Sequence, residues 1–367
     1  MNGVKVFLSR PLVTWALAGV LVAFLAILPM LAIDIPGVFP GPTYTPGTLQ
    51  LIAFSMLIAS LALSYHLIFG VAGLLSFGHA LYFAIGAYGL GIALRHFGLE
   101  LLPAIILTFV IGLVIAAAVG ALSLRVTGIS FAMVTLAFAQ AGSVLIRKNP
   151  GQLTGGDEGL ALDTTHVPDM FVGVLQTKNL YWLCLAILVI VFLVSSWFEQ
   201  SRAGHVVAAT RENELRVRVI GIRPYFVKLL TFVIGGVLAT IVGMAYLLLQ
   251  SSATQKLASA DFTLTLLVIV VLGGVGYRWG AVIGGVVYTL LDQRLTAFAS
   301  SDAVSGLPDF LRIPLSQPLF ILGTLFILVV LFLPGGLAGI PGRIAGTRSR
   351  TNEPRPAPEK NVLEELE

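Results

Sequence analysis

The sequence contains little charge, a single cysteine and few histidines. Only 11% of its 367 residues are Asp, Glu, Lys or Arg, far below the roughly 25% of an average soluble domain. Cys184 lies inside an apolar run and has no second cysteine to pair with, which excludes a disulfide framework. The five histidines are scattered and show no metal-ligand spacing. We therefore expect neither a soluble fold nor a metal centre.

Several motifs of catalytic sites are also missing. The chain has no G-x-x-x-x-G-K-[ST] phosphate-binding loop, no H-E-x-x-H zinc motif and no G-x-S-x-G nucleophile motif. It therefore cannot bind ATP through a phosphate-binding loop of its own. We expect the chain to be no enzyme and to hold no cofactor.

Long apolar runs occupy most of the chain. Apolar residues make up 57% of it, and the mean hydropathy is +0.95. A helix of about 20 apolar residues matches the roughly 30 Å hydrocarbon core of a bilayer. The runs predict an all-α, polytopic membrane protein with about ten transmembrane helices. The predicted spans are 12–33, 48–66, 76–95, 101–124, 128–147, 179–198, 225–249, 261–275, 280–297 and 316–334.

Basic residues are distributed unevenly between the two sides of these spans. Fifteen of the 22 Lys and Arg residues fall on one side, and basic loops stay in the cytoplasm. Both termini are therefore predicted to be cytoplasmic, and the net charge of +4 reflects topology, not nucleic-acid binding. Residues 1–334 form the predicted transmembrane domain, with an external loop at 147–178. Residues 335–367 are a charged, Pro-containing cytoplasmic tail that we expect to be disordered.

Glycines cluster at two places within the apolar runs. One cluster lies in residues 70–86 and the other in residues 273–285. Glycine permits either close helix packing or a broken helix of the kind that lines transport pathways. The sequence leaves both interpretations open at each glycine.

Residues 201–222, which we call the charged segment, interrupt the apolar pattern. Ser201 is a good helix N-cap, and Gly221 suits a left-handed C-terminal position, so the pattern predicts one short helix. Glu212 with Arg216, and Glu214 with Arg218, have the favourable acid-first spacing of four residues. Such a helix either docks on a motor protein or rests on anionic membrane lipid. The pattern alone favours neither interpretation.

Four stretches of the sequence share a pattern with one known family. The first stretch is the charged segment, whose matching parts are S201-x-x-G204, A209-T-R-E-N-E214 and G221-I222. The other three stretches are FGVAGLLSFGHALYFAIGAY (69–88), LTGGDEGL (153–160) and VVLGGVGYRWGAVIGG (270–285). Together they resemble the LivM family of permeases from high-affinity branched-chain amino acid ABC importers, over roughly residues 50–335.

The resemblance implies a role for the charged segment. It would dock on an ATP-binding subunit, and its matching residues are Ser201, Gly204, Arg211, Glu212, Glu214 and Gly221. The implied complex contains a LivH-like second permease, two ATP-binding subunits that bind the ATP, and an external substrate-binding protein. Its implied location is the bacterial plasma (inner) membrane. His205 and the Asp157-Glu158 pair depart from the family pattern.

The resemblance also implies a substrate pathway for branched-chain amino acids or related small amino acids and amides. The candidate residues are Ser76, Gly78, His79, Tyr82, Thr154, Gly155 and Gly156. A structural hydrogen bond is the alternative role for His79, and packing is the alternative for Tyr82.

A different class of transporter fits the composition as well. An ion-coupled secondary carrier or channel acting without ATPases would need charged residues inside the membrane. Asp261 and Asp292 are the nearest candidates, and both are expected near helix ends.

Overall fold

Twelve helices and one small strand pair make up the described part of the chain. The computed structural model describes residues 11–35, 39–299, 317–333 and 335–339. Most of the predicted tail, 335–367, lies outside the described residues. The helices are α1 (Pro11–Ile27), α2 (Pro46–His66), α3 (His79–Arg95), α4 (Leu101–Ser123), α5 (Ile129–Lys148), α6 (Thr177–Gln200), α7 (Arg202–Glu212), α8 (Glu214–Val219), α9 (Pro224–Gln250), α10 (Ala260–Gly273), α11 (Arg278–Ala299) and α12 (Pro318–Phe332).

Short elements connect these helices. A π-helical turn, Leu67–Val71, extends α2. The strands β1 (Leu160–Ala161) and β2 (Ser252–Ala253) pair antiparallel, with Leu160 opposite Ala253. The 3-10 turns are Leu28–Met30, Pro150–Gln152, Asp169–Phe171, Val174–Gln176, Gln255–Ala258 and Leu337–Gly339.

Helices α2, α3 and α9 form the centre of the bundle. The most apolar part of α2 is 94% buried, under α6, α9 and α11. Helix α9 packs against α3 and α4, and aromatic rings that are at most 1% exposed fill the space between these elements. Only 28% of the most apolar part of α4 is buried. Because apolar side chains cover its outer face, α4 borders the lipid or another membrane chain.

The helices fit a polytopic membrane protein, as predicted, while the predicted number of ten spans stays a prediction. Each predicted span overlaps a helix. Among the described residues, six helical stretches are long and apolar enough to cross a membrane. A seventh is possible if α10 and α11, which meet at a bend of 117°, count as one span. Helices α1 and α3 have only 17 residues each, so length alone does not make them full crossings.

Helices α3 and α10 are each preceded by a segment that is not α-helical. Residues 72–78 lead from the end of α2 into α3, and residues 251–259, which contain β2 and one 3-10 turn, lead from α9 into α10. The first turns of α3 and α10 contact each other.

The connections gather at two opposite ends of the bundle. One end holds the charged segment, the end of α2 and the turn between α4 and α5. The other end holds residues 149–176, which join α5 to α6 and contain β1. There the amide of Leu162 donates to the carbonyl of Ser251 at 2.9 Å, which joins this connection to the end of α9. We call these the charged-segment end and the strand end.

Two glycines allow α3 and α9 to cross at very short range. A Cβ added at Gly86 would lie 2.0 Å from the carbonyl oxygen of Thr240, and one at Gly243 would lie 2.0 Å from that of Phe83. Real Cβ atoms do not approach backbone so closely, so this crossing requires both glycines.

Replacing Gly86 with alanine should therefore destabilise the bundle. The added methyl group pushes α3 away from α9, and overpacking of this kind costs about 1–3 kcal/mol. We expect a lower melting temperature for the purified Gly86→Ala protein. Gly47→Ala is the matched control, because a Cβ at Gly47 meets no atom within 4 Å. Equal melting temperatures for the two variants would contradict the close crossing.

Candidate functional site

The charged segment forms two short helices, and the predicted single helix is wrong. Ser201 caps α7, as predicted, by accepting a hydrogen bond from the amide of Gly204 at 3.1 Å. The helix stops at Asn213, whose backbone is extended and whose side chain accepts from the amide of Arg216 at 3.0 Å. Asparagine is a strong N-cap, so it starts the second helix, α8, and does not continue the first. Gly221 closes the segment with a φ of +86°, as predicted.

Glu214 holds the charged segment together and ties it to α9. Its carboxylate lies 2.5 Å from Arg218, the predicted partner, and 2.6 Å from Lys228 in the first turn of α9. The hydrogen bond from Lys228 is the largest cause that lowers the pKa of Glu214 below its usual value, and the bond from Arg218 adds to it. Glu212 is exposed and makes no ion pair within the described residues, so the predicted pair with Arg216 does not form.

Arg211 ties the same segment to the end of α2. Its guanidinium donates to the carbonyl of Gly70, in the π-helical turn. A Cβ at Gly73 would lie 2.7 Å from Cγ of Arg211, so the arginine stem lies directly against the start of the non-helical segment 72–78. Gly204 is buried against the last turn of α6, where a Cβ would lie 2.2 Å from the carbonyl oxygen of Phe198. The two predicted residues therefore place α7 against two transmembrane helices.

A charged cluster at this end was not anticipated from the sequence. Glu199, in the last turn of α6, lies 2.9 Å from Nε of Arg278, which begins α11. Its other oxygen faces Nε2 of the fully buried His66 at 3.3 Å, without hydrogen-bond geometry. Arg278 also donates to the hydroxyl of Ser196. The cluster joins the ends of α2, α6 and α11. The sequence signal for this cluster was that two apolar helices, α2 and α6, each carry an ionisable residue in the last turn, His66 and Glu199.

The non-helical segment 72–78 is fixed by hydrogen bonds with neighbouring helices. The hydroxyl of Tyr65 donates to the carbonyl of Ser76 at 3.0 Å, and the hydroxyl of Thr135 accepts from the amide of Phe77 at 3.1 Å. Gly78 lies so close to Thr135 that a Cβ there would be 2.7 Å from its carbonyl oxygen. Thr135 is six residues into α5, or about 9 Å from the helix start at 1.5 Å per residue. Backbone groups within the bundle are thus satisfied by side chains.

The starts of α3 and α10 meet within the bundle. The amide of Ala80 donates to the hydroxyl of Thr263 at 3.1 Å, which joins the first turns of the two helices. His79, at the first position of α3, is 0% exposed and lies 2.8 Å through Nε2 from the hydroxyl of Ser64. Its Nδ1 has no partner among the described residues. The sequence patterns did not identify Thr263, because threonine is common in membrane helices.

The predicted pathway residues fall into two separate groups. Ser76, Gly78, His79 and Tyr82 lie together, and all are buried in this conformation. The ring of Tyr82 packs edge-on against Phe232, at 5.7 Å between centroids. The second group, Thr154–Gly156, lies at the strand end.

The second group forms a tight turn around Asn149. The side-chain oxygen of Asn149 accepts from the amides of Thr154 at 2.8 Å and Gly155 at 3.1 Å. Gly155 has a φ of +74°, and a Cβ there would lie 1.9 Å from the carbonyl oxygen of Gly159. The neighbouring Asp157 and Glu158 are exposed. The turn thus presents two carboxylates to the solvent at the strand end.

The two aspartates expected of an ion-coupled carrier do not lie together in the sequence or in one helix. Asp261 is exposed in the first turn of α10, and Asp292 is half-buried in α11. Neither forms an ion pair within the described part of the chain.

Comparisons with known proteins agree with the resemblance seen in the sequence. Residues 47–347 match the family described as "branched-chain amino acid transport system / permease component". The LivM permease protein of the Escherichia coli high-affinity branched-chain amino acid transport system is 24% identical, over 79% of this chain and 70% of the relative. The BraD permease protein of Pseudomonas aeruginosa is 26% identical, over 77% and 92%. The LivH permease protein of Salmonella typhimurium is 25% identical, over 77% and 91%.

The charged segment should loosen from the bundle in acid. Since the folded structure lowers the pKa of Glu214, the stabilisation is complete above the usual glutamate pKa of about 4.3 and is lost as the pH falls through the lower, folded-state value. A spin label at Ala209, in a Cys184→Ser background, is expected to become more mobile as the pH drops from about 6 to about 3.

Glu214→Gln provides the control for this titration. The amide cannot titrate, so the label in this variant should be mobile at both pH values. A wild-type label that keeps its mobility in acid, or an equal pH response in the glutamine variant, would show that Glu214 does not hold the segment.

Proposed function

Because the chain belongs to the family of branched-chain amino acid transport permease components, we propose that it is the membrane-spanning permease subunit of an ABC importer. Its substrates would be branched-chain amino acids or related small amino acids and amides. Partner ATPases would drive translocation by alternating access. The permease role follows from the family, whereas the energy source and cargo are part of the proposal.

The observation that supports ATP coupling most strongly is the double attachment of the charged segment. Arg211 bonds to the end of α2, and Glu214 bonds to the start of α9. These two helices are the most deeply buried spans. An ATPase that moves the segment would therefore pull directly on the centre of the bundle. Exposed Glu212 is available for contact with that ATPase.

The pathway would be switched where the two interrupted helices meet. The charged segment contacts the non-helical residues 72–78 through Arg211 and Gly73, and these residues lead into α3. Helix α3 in turn bonds to α10 through Thr263. Movement of the segment would thus reach the buried group around His79. Discontinuous helices with such junctions are common in transporters.

The proposed complex has the partners implied by the relatives. A LivH-like permease would complete the membrane core, and two ATP-binding subunits would dock at the charged-segment end. An external substrate-binding protein would dock at residues 147–178, beside the exposed carboxylates. In this arrangement both termini are cytoplasmic. Helices α3 and α10 each cross the membrane together with the non-helical segment that precedes them, which gives ten passes.

Ion-driven transport is the competing function. It would depend on Asp261 or Asp292, and would not require the charged segment to be attached to α2 and α9. Asp261 is exposed, and neither carboxylate forms an ion pair in the described residues, which gives no support to a proton relay.

Uptake measurements in proteoliposomes with the partner subunits test the proposal. Arg211→Gln and Glu214→Gln each remove charge-assisted hydrogen bonds worth about 1.5–3 kcal/mol. We expect ATP-dependent uptake to fall at least about tenfold in each variant. The matched controls are Arg216→Gln and Glu100→Gln, whose side chains are exposed and form no ion pair within the described residues. They should retain uptake at equal abundance.

Two results would contradict the proposal. Full ATP-dependent uptake in the Arg211 and Glu214 variants would show that the charged segment does not transmit the ATPase movement. Uptake that does not depend on ATP, is driven by an ion gradient and is abolished by Asp292→Asn would instead establish an ion-coupled carrier.

A further inference from the structure

A large cavity lies at the charged-segment end, between the α4–α5 turn, the charged segment and the start of α9. Its volume is about 870 Å³. We call it the basic cavity, because five cationic side chains line it against a single carboxylate. The cations are Arg125, Arg211, Arg218, Arg223 and Lys228, and the carboxylate is Glu214.

The charges of the basic cavity are not balanced by the described residues. Glu214 is already bonded to Arg218 and Lys228, and Arg211 donates to a backbone carbonyl. The guanidinium groups of Arg125 and Arg223 make no ion pair or hydrogen bond within the described ranges. Two arginines facing one cavity without an anion create a strongly positive potential, and guanidinium groups pair with phosphate through two parallel hydrogen bonds.

Exposed apolar side chains occur at the α4–α5 turn, which borders the cavity. Val126, which lines the cavity, is 37% exposed, and Ile129, at the start of α5, is 83% exposed. Leu122, in the last turn of α4, is 50% exposed. The hydroxyl of Tyr225 donates to the carbonyl of Ala121 at 2.9 Å and holds the ends of α4 and α9 together. Apolar side chains beside a basic cavity at a helix end fit the boundary between hydrocarbon and headgroups.

We propose that the basic cavity binds the phosphate headgroup of an anionic glycerophospholipid. Arg125 and Arg223 pair with the phosphate oxygens, and the acyl chains lie along Leu122, Val126 and Ile129. An acidic surface of a soluble protein would supply the negative charge but would not cover the apolar side chains. The bound lipid links the α4–α5 turn to the charged segment. This site is independent of the cargo and of the energy source of transport.

Native mass spectrometry of the full-length chain tests the site. The probes are phosphatidylglycerol, phosphatidylcholine with the same acyl chains, and soluble glycerol 3-phosphate. Removing one arginine near an anionic lipid costs about fivefold in affinity, so the Arg125→Gln/Arg223→Gln double variant should bind phosphatidylglycerol about thirtyfold more weakly. Arg216→Gln is the control, because this arginine belongs to the charged segment but does not line the cavity. It should bind within about twofold of the unchanged chain.

A second measurement does not depend on the variants folding. A photoactivatable phosphatidylglycerol should label residues 121–131 and 222–230 of the unchanged chain, and excess phosphatidylglycerol should suppress the labelling more than phosphatidylcholine does.

Four results would overturn the proposal. The first three are equal affinity for the two lipids, an equal loss of affinity in Arg216→Gln, and photolabelling only outside residues 121–131 and 222–230. The fourth is displacement of the lipid. Displacement by glycerol 3-phosphate at the lipid's own concentration would identify the ligand as a soluble phosphate, and displacement by the ATP-binding subunits would identify the cavity as a protein contact.

Discussion

The structure depends on the requirement that every backbone polar group inside a bilayer finds a partner within the protein. Unbroken helices meet this requirement alone, but the non-helical segment 72–78 does not. Its backbone groups are satisfied by the side chains of Tyr65 and Thr135. Thr263 then accepts from the first turn of α3. These hydroxyl groups replace the helical hydrogen bonds that are lost at the break in the centre of the bundle. They also link elements that would otherwise be independent spans.

This link explains how a small surface segment can affect buried helices. Arg211 and Glu214 attach the charged segment to α2 and α9, and Arg211 lies against the first residues of the break. The cluster of Glu199, His66 and Arg278 joins α2, α6 and α11 at the same end. A displacement here would be carried by charge-assisted contacts into packed helices. Close crossings such as that of Gly86 with Thr240 leave no space between the helix backbones, so we expect the helices to move together.

The sequence predicted the membrane helices well and their interruptions only in part. Each span predicted from hydropathy overlaps a helix, because apolar length is a direct requirement of the bilayer. The glycine cluster in residues 70–86 indicated a possible break there, but the segment 251–259 contains no glycine and carries no such signal. The break at Asn213 was missed because acid–base spacing continued across it. Contacts between distant residues, such as His66 with Glu199, have no local pattern and require the fold.

We propose that the charged segment and the break after α2 move as one unit when ATP binds. Double electron–electron resonance on the assembled transporter measures this directly. One sample, in a Cys184→Ser background, carries labels at Ala209 and Glu100, and another at Leu75 and Glu100, where Glu100 is the reference at the strand end. Both distances should change in the same nucleotide state. A change at Ala209 while Leu75 stays fixed would contradict the account.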